Sequence, residues 1–176
     1  FGIDPDRIAT IGGSAGGHLA GFMGATNGIK RFEGIGGHND QSSGVQASIV
    51  MCGAMTLLDP HIIERIEKNK ESPRGDAVID FMGGHTPSTN RAIYEEASPL
   101  THVGSHSPPM LFIDGEFDRP EIGYTEFRKR LDSHRIPHQF VLMAKGPHPF
   151  WVYEYWFSPT VDAVDAFLKE HLKMSK

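Results

Sequence analysis

Four short β-prone runs, at residues 7–11, 45–51, 109–114 and 138–143, alternate along this chain with stretches whose apolar side chains have helical spacing. The runs at 45–51 (VQASIVM) and 109–114 (PMLFID) show little of the in-out alternation of a half-exposed strand, as expected where both faces are covered. Strands of this kind, joined by helices, build a parallel sheet with helices on both faces, so the expected class is α/β. Residues 15–24 place Leu19, Phe22 and Met23 on one helical face, and residues 124–134 turn Phe127 and Leu131 inward. For the last helix, Ser158 is read as N-cap and Pro159 as the first helical residue, with Val161, Val164, Phe167 and Leu168 on the apolar stripe.

A chain of 176 residues is read as a single domain, 1–176, that buries roughly 70% of its unfolded surface. That suffices for a core without disulfides, and Cys52 is the one cysteine, read as a core residue. Apolar residues at 39% and charged residues at 22% exclude a disordered class. Seventeen Lys and Arg against 22 Asp and Glu give a net charge of −5, and no basic run breaks the pattern. A nucleic-acid surface is therefore not expected, and no apolar run approaches the roughly 18–20 residues of a membrane span. A small neutral or weakly polar partner fits better. Between residues 59 and 107 the pattern changes to short helices marked by Ile62, Ile63 and Ile66, by residues 77–82 and by residues 92–97, read as a cap-like helical insertion.

Gly12-Gly13-Ser14-Ala15-Gly16 matches G-x-S-x-G directly after a predicted strand and directly before a predicted helix. A chain that reverses from strand to helix in so few residues strains the backbone at the serine and needs small residues two before and two after it. The hydroxyl is thereby raised above the sheet, and the first N–H groups of the helix, that of Ala15 above all, are available to an oxyanion. A phosphate-cradling turn is the competing reading, but neither G-x-x-x-x-G-K-[ST] nor G-x-G-x-x-G is present, since Gly12, Gly13, Gly16 and Gly17 have the wrong spacing.

The segment from Ile3-Asp4-Pro5-Asp6-Arg7-Ile8 through Gly16-Gly17-His18-Leu19-Ala20 resembles the nucleophile region of α/β-hydrolase carboxylesterases, in the lipase/esterase and acetylxylan-esterase-like branch. The resemblance implies a catalytic serine, acid and histidine in that order along the chain, with Ser14 as nucleophile. Gly115-Glu116-Phe117-Asp118 resembles the family's G-x-x-D turn and nominates Asp118 as the acid, with Glu116 its nearest rival and Asp114 still within the strand. Ala144-Lys145-Gly146-Pro147-His148-Pro149 places His148 where the family carries its base, although the family usually surrounds it with glycine rather than proline. His18 is read as structural or as supporting the reacting side chains from behind, and His134 and His138 are expected to point elsewhere. No H-E-x-x-H occurs, and His102 and His106 are four apart in a Gly/Ser segment, so neither a metal nor a cofactor is expected.

Two family features have no counterpart: the HGGG-type loop before the nucleophile strand and the first four strands of the sheet. Gly34-Ile35-Gly36-Gly37-His38 has similar letters in the wrong place. The expectation is a C-terminal half fold, completed by a missing N-terminal segment or by another chain, since the first strand would otherwise be an exposed edge. Trp151, in the aromatic cluster after His148, is the candidate to touch substrate. The expected activity is hydrolysis of short-chain acyl esters through a Ser-His-Asp triad, with acetylated carbohydrate as a substrate class. A prolyl-oligopeptidase-type serine peptidase and a non-catalytic, partner-binding half fold are the alternatives.

Overall fold

In the computed structural model, residues 2–72, 74–118 and 123–172 are described. Strands β1 (Ala9–Gly13), β2 (Ala47–Met51), β3 (Met110–Gly115) and β4 (His138–Met143) form one parallel sheet in the order β1-β2-β3-β4. Every residue of β2 and β3 is buried, as their composition required. Alternate side chains divide the core between two faces. On one, Val50, Met110 and Phe112 pack with Phe127 and Leu131 of α6 (Tyr124–Ser133) and with Ala25 of α1 (Ala15–Ala25). On the other, Ile49, Leu111 and Ile113 pack with Phe150 and with Phe167 of α7 (Glu154–His171). The expected sheet with helices on both faces is what forms.

Residues 59–107 carry α2 (Pro60–Asn69), α3 (Ala77–Phe81), α4 (Arg91–Glu96) and α5 (Pro99–His102). Asp59 caps α2 by accepting the His61 N–H at 2.9 Å, and Asp76 caps α3 through the Val78 N–H at 2.9 Å while pairing with Arg65 at 3.2 Å. Ile62, Ile66, Met82 and Tyr94 form a small core there with Leu57, which precedes the stretch. Among the described residues no helix is long and apolar enough to cross a membrane.

Three local details correct or sharpen the sequence reading. First, β1 continues through the glycine pair read as its end, because Gly12 and Gly13 still pair in register with Val50 and Met51. Second, α1 buries its small residues, Gly17, Ala20, Gly21, Gly24 and Ala25, while Leu19 and Met23 stay 52% and 46% exposed. The helix lies so close to the sheet that a Cβ on Gly17 would stand 2.5 Å from the Met51 carbonyl oxygen, so the side with the least bulk faces inward. Third, α7 starts at Glu154, which puts Pro159 inside the helix and Val161 outward. The Trp156 indole N–H donates to the Ala144 carbonyl at 3.1 Å and anchors that extra turn. Proline is tolerated so near a helix start because the carbonyl it deprives belongs to Tyr155, which is exposed.

Candidate active site

All four strands point their C-terminal ends the same way, so the loops that follow them meet at one rim of the sheet. At the end of β1, Ser14 adopts φ 57° and ψ −119°, a conformation that costs a residue with a side chain about 1–3 kcal/mol. Neighbours hold it there. The Ser14 N–H donates to the Met51 carbonyl at 2.8 Å, and the Ser14 carbonyl accepts the His18 N–H at 3.0 Å. A Cβ on Gly12 would lie 2.1 Å from the Gly16 oxygen, so the glycine two before the serine is sterically required. The one two after it is not, because a Cβ on Gly16 meets nothing within 4 Å.

Asp118 comes from the tight turn after β3, where its N–H donates to the Gly115 carbonyl at 3.0 Å. His148 comes from the loop after β4. The two loops are fastened together: Phe117 N–H donates to the Gly146 carbonyl at 3.0 Å, and Glu116 accepts the Lys145 N–H at 2.7 Å. Glu116 is thus occupied as a brace. His148 Nε2 lies 3.0 Å from Ser14 Oγ, and His148 Nδ1 lies 2.5 Å from Asp118 Oδ2. A carboxylate can only accept, so the proton sits on Nδ1, and Nε2 is left to accept from the serine hydroxyl.

Behind this line lies a buried polar group that the sequence did not expose. Asp114, 2% exposed at the end of β3, accepts the Tyr124 hydroxyl at 3.3 Å, and that hydroxyl accepts the Gly53 N–H at 3.0 Å. Burial above all pushes the Asp114 carboxyl up to about 6, helped by the charge of Asp118 and opposed by hydrogen bonds from Cys52 and Tyr124. Burial, and then the carboxylates beside it, hold the Cys52 thiol in its protonated form. Cys52, Asp118 and His148 bring their donor atoms within 4.8 Å of one another, the one such grouping with metal-ligand reach among the described residues. Two of these donors are already engaged, because His148 Nδ1 and the Asp118 carboxylate are hydrogen-bonded to each other.

A cavity of about 780 Å³ opens beside the serine. Ser14, Ala15 and Asp118 line one side, and Ile62 of α2 with Val78 and Phe81 of α3 line the other. As the first residue of α1, Ala15 has a backbone N–H with no partner inside the helix. His18, which also lines the cavity, is buried with Nδ1 2.9 Å from the Ala54 carbonyl, and burial lowers its pKa, favouring the neutral ring. His134 and His138 lie on the end of α6 and the start of β4, away from the serine. Trp151 is not among the residues that line the cavity; its ring stands edge-on to that of His148, 5.3 Å between centroids.

The BD-FAE family model matches residues 1–124, a stretch that includes Ser14 and Asp118. The chain belongs to the BD-FAE family. A relative of this BD-FAE member in Mycobacterium tuberculosis, described as "Probable carboxylic ester hydrolase LipM", is 32% identical over 119 residues, which is 67% of this chain and 26% of that protein. Among solved structures, a "truncated form of carbohydrate esterase from gut microbiota" superposes with a TM-score of 0.73 at 23% identity, covering 98% of this chain and 62% of that one. A puromycin-hydrolyzing peptidase of Mycobacterium tuberculosis superposes with a TM-score of 0.69 at 21% identity, covering 98% of this chain and 23% of that one. The BD-FAE member therefore has part of an α/β-hydrolase fold, and it spans about a quarter of the length of the curated relatives it matches.

Proposed function

We propose that this domain hydrolyses carboxylic esters with Ser14 as nucleophile, His148 as base and Asp118 as the acid that orients the imidazole. The observation that carries the reading is the unbroken hydrogen-bonded line from Ser14 Oγ through both ring nitrogens of His148 to the Asp118 carboxylate. In the first step Ser14 Oγ attacks the ester carbonyl and passes its proton to His148 Nε2. Asp118 stabilises the resulting imidazolium without taking its proton. The negative charge on the former carbonyl oxygen faces the Ala15 N–H at the positive end of α1. His148 then protonates the departing alcohol, leaving an acyl-enzyme that water opens by the same steps in reverse. Proton transfer along this line uses only side chains of the chain itself.

A cavity of about 780 Å³ has room for a short acyl chain together with a bulkier alcohol. The likeness to a carbohydrate esterase favours a sugar as that alcohol. The peptidase neighbour shares the fold, so fold alone does not choose between ester and amide. Hydrolysis of p-nitrophenyl acetate, set against a peptide p-nitroanilide, makes that choice. A fluorophosphonate probe is expected to label the wild-type protein and not Ser14→Ala. A wild-type protein that is not labelled defeats the reading in favour of a non-catalytic half fold.

The sheet is also proposed to be completed along β1 by a further segment or chain. Ile11 on that edge strand is 56% exposed, and Leu19 and Met23 of α1, the helix packed against β1, are about half exposed. Lengthening the chain at its N-terminus is expected to raise the melting temperature and the labelling rate together. If neither changes, the completion proposal fails.

A further inference from the structure

We propose that Trp151 is a positioning residue for His148, and that Gly13, the variable position just before the serine in G-x-S-x-G, is glycine because the Trp151 indole fills the space of its side chain. This rests on the hydrolase reading above. A Cβ built on Gly13 would lie 2.4 Å from Trp151 Cζ2 and 2.6 Å from Cε2, both atoms of the rigid ring system. Backbone torsion gives no other reason for glycine there, because Gly13 is an ordinary strand residue paired with Met51 and lies outside the left-handed region.

The indole is not free to swing aside. It packs edge-on against Phe150, which is fully buried, with 5.2 Å between centroids, and both residues belong to the short 3-10 turn Phe150–Val152. On another side it meets the His148 imidazole, ring planes at 85°. His148 is thus gripped at three places: Asp118 holds Nδ1, Ser14 meets Nε2, and Trp151 backs the ring. Two hydrogen bonds along one line leave a ring free to tilt about that line, and a third contact off the line removes the tilt. The same indole bridges the strand that delivers the nucleophile and the loop that delivers the base, so the spacing of Ser14 and His148 is set by how closely Trp151 sits on Gly13.

The test is a double-mutant cycle of Gly13→Ala and Trp151→Ala, read in kcat and KM for p-nitrophenyl acetate and in melting temperature, with Trp151→Phe as the conservative control. Gly13→Ala, which drives the indole and the base outward, is expected to lower kcat about 100-fold and leave KM within about twofold, the scale of an ångström's misplacement. Trp151→Ala is expected to lower kcat about tenfold or more, again with little change in KM, and Trp151→Phe to recover most of it. In the Trp151→Ala background the added methyl has nothing to strike, so Gly13→Ala is expected to cost no more than about twofold further. The inference is overturned if Trp151→Ala raises KM at unchanged kcat, as a substrate contact would, or if the Gly13→Ala penalty is the same in both backgrounds. Failure of the underlying hydrolase reading looks different, since the wild-type protein itself would then be inactive and unlabelled. In that event strictly additive melting temperatures across the cycle would still overturn the packing between the two residues.

Discussion

The backbone N–H of Ser14 donates to the carbonyl of Met51 at 2.8 Å, so the strained residue at the end of β1 is held by the last residue of β2. Gly17 approaches that same carbonyl oxygen, where an added Cβ would lie at 2.5 Å. Gly17→Ala therefore pushes on the acceptor that holds the serine. We expect it to cost about 1–3 kcal/mol of stability, as overpacking does, and to reduce ester hydrolysis about 100-fold. Gly16→Ala, one residue earlier and with nothing within 4 Å, is expected to keep activity and gain up to about 1 kcal/mol from helix propensity. Urea midpoints and kcat for the two variants check the contrast.

Asp118→Asn keeps the shape of the side chain but removes the negative charge facing His148 Nδ1, which the proposed mechanism needs. A loss of about 10³–10⁴-fold in kcat is expected. Glu116→Gln retains an oxygen for the Lys145 N–H, so its kcat is expected to stay within about threefold of wild type. Should Glu116→Gln prove the more damaging in steady-state assays, the acid has been assigned to the wrong side chain.

Asp114 gives stability an unusual pH dependence. Its carboxyl titrates near 6 when folded, above its unfolded value, so the folded chain holds the extra proton and is favoured at low pH. That contribution is fully present below about pH 4 and is lost as pH rises through 6. At about 1.4 kcal/mol for each pH unit of displacement, the loss amounts to at most about 3 kcal/mol at pH 8. Asp114→Asn is expected to be more stable than wild type at pH 8 and to lose that advantage at pH 4, as read from chemical denaturation at the two values.

His18 works in the opposite sense. Burial lowers its pKa below the unfolded value, so its contribution is present above about pH 6.5 and is lost as pH falls through the folded value. His18→Asn keeps an N–H in place of Nδ1 for the Ala54 carbonyl and does not titrate. Its stability relative to wild type should improve between pH 8 and pH 5, which parallel urea titrations will register.

Strand positions were legible because β2 and β3 are buried on both faces, and runs such as Ser48-Ile49-Val50-Met51 and Met110-Leu111-Phe112-Ile113 have no other use in a small domain. Ser14 was legible because an elbow of this kind demands glycine at Gly12 within a few residues of chain. Asp118 and His148 became readable only through resemblance, since nothing local links residues 30 apart that meet in the fold. Spacing put Leu19, Phe22 and Met23 on one face of α1 without showing which way that face turns, because proximity decides it: Gly17 and Gly21 face the sheet, and Leu19 and Met23 do not. Asp114 and Tyr124 stayed hidden because a buried carboxyl and its phenol partner leave no periodic signal, and Trp151 gave no sign that its neighbour would be Gly13.

The serine directly follows β1, one of the two edge strands, and among the described residues nothing pairs with the far side of that strand. Whatever lay along it would pull on the same peptide units that set the torsion at position 14. Reactivity of the hydroxyl would then gauge, mechanically, whether that outer lane is occupied.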